Sequence, residues 1–168
     1  QHPDDVVEVL LEDHVSASDA MDAVRRSGLA HHAWRMHAGR PLPTLRAMTA
    51  RHRNALIMAE KHGNPSGWYL AMYAGLVDDT HYAVADNNDF DCALNRGTGS
   101  SPLLLMNHWL RGHPPTREVA ASANAASVLR AHVQACVDQR GRVPNIIAVD
   151  FHDAGDLVAI VNALNRRG

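Results

Sequence analysis

The stretch that decides the fold class is Val143-Pro-Asn-Ile-Ile-Ala-Val149, followed by Asp150. Its apolar residues are adjacent rather than alternating, which is typical of a strand buried on both faces of a parallel sheet. Gly141 before it ends a long alanine-rich helix, and the stretch from Ala154 to Asn165 predicts another helix. A buried strand between two helices indicates an α/β protein.

The same succession of apolar strand and helix recurs along the chain. Three further apolar runs predict strands: Val6–Leu11, Asn54–Ala59 and Pro102–Met106. Helices are predicted between them from capping residues and apolar spacing: Asp19–Ser27 after a Ser18 cap, Thr44–His52 with Leu45, Met48 and Thr49 on its apolar face, and Thr116–Asp138. Strands separated by helices run parallel, so the pattern predicts either a barrel or an open doubly wound sheet.

Two segments do not fit this succession. Tyr69–Leu76 is apolar but too short to distinguish a strand from a helix. Asp78–Gly99 is polar and predicts a long loop. Loops of that length are usually functional or lie near a functional site.

Composition excludes several function classes. The 168 residues are 46% hydrophobic and 20% charged, which is typical of one globular domain. The formal net charge is −2 and Lys61 is the only lysine, so the chain lacks the basic surface of a nucleic-acid binder. No apolar run reaches the roughly 18 residues of a membrane span. Nucleotide-binding glycine motifs and the Gly-x-Ser-x-Gly motif of esterases are also absent from the sequence.

Polar side chains follow all four predicted strands. They are Glu12-Asp13-His14, Glu60-Lys61, Asn107-His108, and Asp150 with His152. Ligands of parallel α/β proteins bind at the carboxyl ends of the strands. A solvated strand end explains any one of these groups, but four in succession favour a polar pocket that carries carboxylates.

Other candidate sites receive less support from the residues. His31, His32 and His37 surround Trp34 without the spacing of a metal site, which favours a surface loop. Cys92 and Cys136 are the only cysteines and form no Cys-x-x-Cys pair. Composition leaves open whether they are joined in a disulfide or are two buried thiols.

Five segments, in order over nearly the whole chain, resemble the X-domain-like family of phosphatidylinositol-specific phospholipase C, and its secreted bacterial and plant branch in particular. They are Val6–Val15, Pro43-Thr-Leu45 with Asn54–Glu60, Asp89–Gly97, Leu104–Leu110 and Gly141–Phe151. The resemblance implies a TIM-type barrel, with residues 1–168 as its C-terminal portion, approximately strands four to eight.

The resemblance also implies a reaction. A histidine takes the proton of the inositol 2-hydroxyl, whose oxygen attacks phosphorus, while a second histidine protonates the leaving alcohol. Arginine or Ca²⁺ stabilises the charge on the phosphorane, and a cyclic inositol phosphate results. The implied partners are a phospholipid headgroup or another phosphodiester and, transiently, a membrane surface.

Individual residues receive roles from this resemblance. Asp150 matches the carboxylate that orients the general-base histidine. Lys61 lies near the place where relatives have cationic residues that hold phosphate groups, and Asn107 and His108 are expected to face the barrel mouth, so these three are the expected substrate-binding residues. Glu12 matches a Ca²⁺ ligand of calcium-dependent relatives, where metal-independent bacterial relatives have lysine, so Ca²⁺ is a hypothesis. The resemblance further implies a Cys92–Cys136 disulfide and secretion.

The chain departs from the family pattern at its start. The family's catalytic histidines and phosphate-binding arginine belong to the first three strand units, whereas Val6–Leu11 aligns with the fourth. We therefore expect the chain alone to be inactive and the complete protein to be a phosphodiesterase. The alternatives are a non-catalytic headgroup-binding or inactive half-barrel, and an α/β protein with fold-level similarity only. Because a half-barrel has unpaired strand edges, we expect the chain alone to be poorly stable or to pair with another copy.

Overall fold

The computed structural model describes residues 5–37, 39–112 and 114–166. The chain divides into two compact units, Gln1–Leu76 and Val77–Gly168. Each unit contains a parallel three-stranded sheet with helices in the connections, which confirms the α/β class. The partial TIM-type barrel stays a prediction.

The sheet of the first unit has the order β1-β2-β3, with all strands parallel. Its strands are β1 (Val7–Leu11), β2 (Ala55–Ala59) and β3 (Tyr69–Ala71). The helices between β1 and β2 are α1 (Ala17–Arg26), a 3-10 helix (Leu29–His32) and α2 (Leu45–Ala50). Every residue of the central strand β2 is buried, as its apolar sequence predicts. The ambiguous segment after it contributes the short edge strand β3.

The helix starts of the first unit confirm one predicted cap and correct another. The hydroxyl of Thr44 accepts the N–H of Ala47 at 3.1 Å, so Thr44 caps α2 as predicted. The cap of α1 is Ser16, and the prediction of Ser18 is wrong because the helix begins two residues earlier than predicted, at Ala17. Leu45 does not belong to the apolar face of α2, because its side chain is 65% exposed.

The sheet of the second unit has the order β4-β5-β6, again with all strands parallel. Its strands are β4 (Val77–Asp79), β5 (Leu103–His108) and β6 (Ile146–Val149). Its helices are α3 (Arg117–Ala123), α4 (Ala126–Arg140) and α5 (Leu157–Asn165). The core lies where β5 packs against α4 and α5 and includes Leu104, Met106, Leu129 and Ile160. No helix in the described ranges is long and apolar enough to cross a membrane.

Two predictions for the second unit are wrong. The predicted loop from Asp78 to Gly99 begins inside strand β4, whose three residues are all buried. The predicted helix Thr116–Asp138 is two helices, interrupted at Asn124 and Ala125. The apolar spacing continues through this break, so periodicity alone does not reveal it.

Candidate functional site

In the first unit, Asp13 connects the carboxyl ends of β1 and β2 through hydrogen bonds. Its carboxylate is almost fully buried and accepts the backbone N–H groups of Lys61 and His62, at 2.8 and 2.7 Å. The Nδ1 of His62 lies 2.9 Å from the same carboxylate. Burial opposes ionisation of Asp13, but these hydrogen bonds outweigh it and hold the pKa of Asp13 below its ordinary value. Burial and the nearby Asp13 carboxylate raise the pKa of Tyr69.

Around this buried carboxylate lies a group of exposed ionisable side chains. The ammonium of Lys61 is 3.2 Å from Nδ1 of His14, and Nε2 of His14 is 3.5 Å from the Glu12 carboxylate. The side chains of Glu12 and His14 are 75% and 69% exposed. The structure therefore brings the predicted residues Glu12 and Lys61 together through His14, in positions that a ligand in solution can reach.

The fit of a calcium ion to Glu12 is poor. Ca²⁺ takes about six to eight oxygen ligands. Over the described ranges, no group of three or more His, Cys, Asp and Glu side chains is placed to hold a metal. The carboxylate of Glu12 already has His14 as a neighbour. The residues described here do not form a calcium site around Glu12.

In the second unit, Asp79 at the end of β4 is the centre of a buried hydrogen-bond network. Its carboxylate accepts Nε of Arg96 at 2.8 Å, a terminal guanidinium nitrogen of Arg96 at 2.5 Å and the backbone N–H of Arg96 at 2.7 Å. Asn107 donates its amide to Asp79 at 3.2 Å and to the carbonyl of Thr80 at 2.7 Å. Asn107 is 2% exposed, so the predicted substrate-binding amide is occupied by protein groups.

Arg96 also contacts an aromatic surface beside the ends of β4 and β5. Its guanidinium carbon lies 5.0 Å from the ring centre of Tyr82. Tyr82 stacks with Trp109 at 6.4 Å between centroids and with His81 at 6.2 Å. Tyr82 is partly exposed, and this arrangement offers a flat apolar face next to a cation.

His108, the other predicted substrate-binding residue of β5, is fully buried. Its Nδ1 lies 2.8 Å from Nδ1 of His132, and its Nε2 lies 2.9 Å from the carbonyl of Ala123. Nε2 of His132 lies 2.8 Å from the carbonyl of Asp91, and the ring of Phe90 stacks on both imidazoles. Both nitrogens of His108 therefore face protein atoms, and the ring offers no atom to a substrate in this structure.

Burial lowers the pKa of His108 to about 4 and lowers the pKa of His132 as well. At neutral pH the two rings together carry two ring protons, which satisfy two of the three short contacts. A third proton would complete the network, but the burial of an imidazolium opposes it.

Asp150 follows β6 and differs from Asp78 and Asp79, the fully buried carboxylates of this unit. It is half-buried, and its backbone carbonyl accepts the side-chain amide of Asn124 at 3.1 Å. Its carboxylate has no hydrogen bond or ion pair with any residue that the structure describes. Such a carboxylate is available to accept a hydrogen bond from a histidine of the kind the resemblance implies.

Cys92 and Cys136 are joined in a disulfide, and both are fully buried. The bond attaches the segment between β4 and β5 to α4, beside the hydrogen bond from His132 to the carbonyl of Asp91. Of the two alternatives that composition left open, the structure has the disulfide.

Comparison with known proteins gives the family. The family model PI-PLC X, described as PI-PLC X 1, matches residues 1–165. The chain belongs to the PI-PLC X family. It is similar to PI-PLC X domain-containing protein 1 of Arthroderma benhamiae, with 26% identity over 190 residues. That alignment covers 98% of this chain and 60% of the relative, so the PI-PLC X chain spans about 60% of the length of that relative. No solved structure matches it.

Sequence reasoning missed several polar residues of this PI-PLC X chain. Asp79, Arg96 and Tyr82 all lie in the segment that was predicted as a loop. A usable signal was present, because two adjacent aspartates directly after an apolar Leu76-Val77 pair are typical of a strand that ends in functional or buried carboxylates. The pairing of Asp79 with Arg96, 17 positions away, is not encoded in local sequence.

Proposed function

We propose that the complete protein cleaves a phosphodiester by the phosphatidylinositol phospholipase C reaction, and that this chain supplies Asp150 and part of the headgroup-binding surface. One observation carries the proposal. In a chain matched by the PI-PLC X model over residues 1–165, the carboxylate at the end of β6 has no partner among the described residues. The buried carboxylates Asp13, Asp78 and Asp79 are all engaged in hydrogen bonds with protein groups, and the histidine that faces Asp13 is His62.

The role of Asp150 in this reaction is electrostatic. Its carboxylate accepts the N–H of a general-base histidine that belongs to the complete protein, and stabilises the imidazolium that forms. The histidine takes the proton of the inositol hydroxyl, the oxygen forms a bond to phosphorus, and the bond from phosphorus to the glycerol oxygen breaks. A second histidine donates a proton to that oxygen. The products are a cyclic inositol phosphate and diacylglycerol.

The ammonium of Lys61 is the group of the first unit that we assign to a headgroup phosphate. It is exposed, and its nearest neighbour is an imidazole rather than a carboxylate, so its charge is available to an anion. In the second unit the Tyr82 ring beside Arg96 supports binding of a ring-shaped polyol or of its phosphate. No step of the reaction is assigned to calcium.

The proposed setting is extracellular, with transient contact to a membrane surface and closest kinship to the secreted bacterial and plant branch. The buried disulfide supports an oxidising compartment, because such bonds are rare in reducing cytosol. Exposed aromatic side chains at Tyr82 and Phe151 support contact with lipid headgroups. The curated relative named above is fungal, so the branch rests on the resemblance of the sequence segments.

The direct test incubates the complete protein with phosphatidylinositol vesicles and follows phosphorus NMR signals. We expect a cyclic inositol phosphate to appear before any open-chain phosphate. A complete protein that gives no phosphorus-containing product but binds inositol phosphate, with weaker binding in Lys61→Gln, would replace this proposal with the non-catalytic headgroup-binding alternative. Absence of both turnover and binding would indicate an inactive member of the family.

A further inference from the structure

The break between α3 and α4 is attached to the loop that carries Asp150. Asn124 lies at this break and is 1% exposed. Its side-chain amide donates to the carbonyl of Asp150 at 3.1 Å and to the carbonyl of Ala154 at 3.0 Å. The backbone carbonyl of Asn124 accepts the backbone N–H of Asp156 at 2.9 Å. Three hydrogen bonds from one buried residue therefore fix both ends of the segment 150–156.

The approach of the two segments is close enough to require a glycine. A Cβ atom added to Gly155 would lie 2.7 Å from Cβ of Asn124 and 2.9 Å from its carbonyl oxygen. Gly155 also has a φ of +80°, which side-chain-bearing residues rarely adopt. A further hydrogen bond joins the N–H of Ala126 to the Asp156 carboxylate at 2.9 Å. The loop is thus packed directly on the helix break.

The backbone next to Asp150 is strained. Phe151 has a φ of 46°, in the left-handed region that is costly for an aromatic residue. Such a conformation persists only where surrounding contacts impose it. Asn124 holds the carbonyl of Asp150 on one side of Phe151, and the N–H of Ala154 holds the carbonyl of Phe151 at 2.8 Å. Arg117 covers the ring at 5.7 Å from its centre.

These contacts act on the backbone of Asp150, whereas its carboxylate has no partner among the described residues. The place from which that carboxylate projects is therefore set through the backbone of Asp150. A misplacement of about 1 Å in a catalytic group can cost on the order of 100-fold in rate. The residue that holds the Asp150 carbonyl is consequently able to control catalysis without contacting the substrate.

We propose that Asn124 is a positioning residue that sets the place of the Asp150 carboxylate through its hydrogen bonds to the loop after β6. The inference rests on the proposed function, because a positioning role for Asn124 requires that the Asp150 carboxylate takes part in the reaction. Asn124 itself contacts neither the substrate nor the reacting atoms.

The test is a double-mutant cycle in the complete protein, with turnover of phosphatidylinositol as the readout. Asn124→Ala, Asp150→Asn and the double variant are compared with the parent. We expect Asn124→Ala to lower kcat about 10-fold with KM unchanged, and to have no further effect on the residual rate of Asp150→Asn. An equal loss on both backgrounds, or unchanged kcat in Asn124→Ala, would overturn the inference.

Two controls separate positioning from general loss of structure. Asn145 lies just before β6, and its side-chain oxygen accepts the N–H of Leu104 in β5. Asn145→Ala therefore removes an asparagine hydrogen bond at the end of β6 opposite to Asp150. Asn145→Ala should change kcat by the same factor in the parent and in the Asp150→Asn variant. If Asn124→Ala does not fold, Gly155→Ala displaces the same loop with the Asn124 amide retained, and the same dependence on Asp150 is expected. If Gly155→Ala then lowers kcat equally in the parent and in Asp150→Asn, the inference is overturned.

The proposed function can fail separately in this experiment. If Asp150→Asn turns over at the parental rate, Asp150 is not catalytic, and that result alone refutes its assignment. If Asp150→Asn is slow but Asn124→Ala acts independently of it, the function stands and the positioning role does not.

Discussion

Glu12, His14 and Lys61 follow β1 and β2 in the first unit and remain exposed, whereas Asn107 and His108 end β5 in the second unit and are buried. All five residues were predicted to be polar strand ends of the same kind. The difference arises because the long segment between β4 and β5 covers the end of β5 with its own side chains and is fixed there by a disulfide. A polar strand end is therefore available to a ligand only where the next connection leaves it uncovered.

The largest expected effect concerns the covalent attachment of that covering segment. The Cys92–Cys136 disulfide closes a loop with a sequence separation of 44 residues. Chain entropy alone assigns such a loop about 4 kcal/mol of stability. We expect the Cys92→Ser, Cys136→Ser double variant to lose this amount in urea unfolding, and the parent in dithiothreitol to behave like the variant. An unfolding midpoint that is unchanged in both would contradict the covering role of the segment.

The second-largest expected loss of stability concerns the ion pair between Asp79 and Arg96. Asp79 is fully buried, and Asp79→Ala leaves the guanidinium of Arg96 without its carboxylate. Loss of one partner of a buried pair typically costs about 3 kcal/mol or more. We expect that loss in the free energy of unfolding of Asp79→Ala. The matched variant in the first unit, Glu12→Ala, removes an exposed carboxylate and should change stability by less than about 0.5 kcal/mol. Equal losses in the two variants would remove the distinction between the two strand ends.

The pH dependence of stability should also distinguish the buried and exposed histidines. His108 has a pKa of about 4 in the folded chain against an ordinary 6.5, so the unfolded chain binds the proton more tightly. The free energy of unfolding should therefore fall by roughly 3 kcal/mol as the pH is lowered from about 6.5 to about 4. His108→Gln should flatten this dependence, and His14→Gln should leave it intact. The same slope in all three proteins would show that the burial of His108 is not its cause.

The smallest effect on stability is expected for Lys61. Its side chain is exposed and contacts His14, so Lys61→Gln should change the free energy of unfolding by less than about 0.5 kcal/mol. Inositol phosphate binding by the complete protein should nevertheless weaken, because the ammonium is available to an anion. A thermal shift titration measures both quantities. A large loss of stability without a change in binding would assign Lys61 to the structure of the unit instead.

The sequence predicted those elements whose cause is local. The apolar runs of β1, β2, β5 and β6 form strands as predicted, and the Thr44 cap begins α2. The predicted burial holds for β2 and most of β5, whereas β1 and β6 are only partly buried or exposed because nothing in the local sequence shows which strands are covered. Strand β4 was missed because Val77-Asp78-Asp79 contains two aspartates, which are unfavourable in buried strands unless they have partners. Those partners, Arg96 and Arg140, lie 17 and 62 positions away from the aspartates that they contact.

The site was predictable to a similar extent. Reasoning from the carboxyl ends of strands selected Glu12, Lys61 and Asp150, which are accessible or without a partner among the described residues and whose roles stay predictions. It could not separate them from Asn107 and His108, because the burial of those two depends on how the connection after β4 folds. The break at Asn124 was also missed, since its cause is the packing of a distant loop containing Gly155.

Asp79 and Asp150 are two carboxylates at strand ends of one sheet, and the proposed function requires them to differ in their roles. The measurement is the turnover of phosphatidylinositol by the complete protein carrying Asp150→Asn, with its thermal unfolding recorded alongside and Asp79→Asn as the comparison. We predict that Asp150→Asn loses about 100-fold or more in kcat with an unchanged Tm, whereas Asp79→Asn loses Tm. Parental turnover in Asp150→Asn would contradict the assignment.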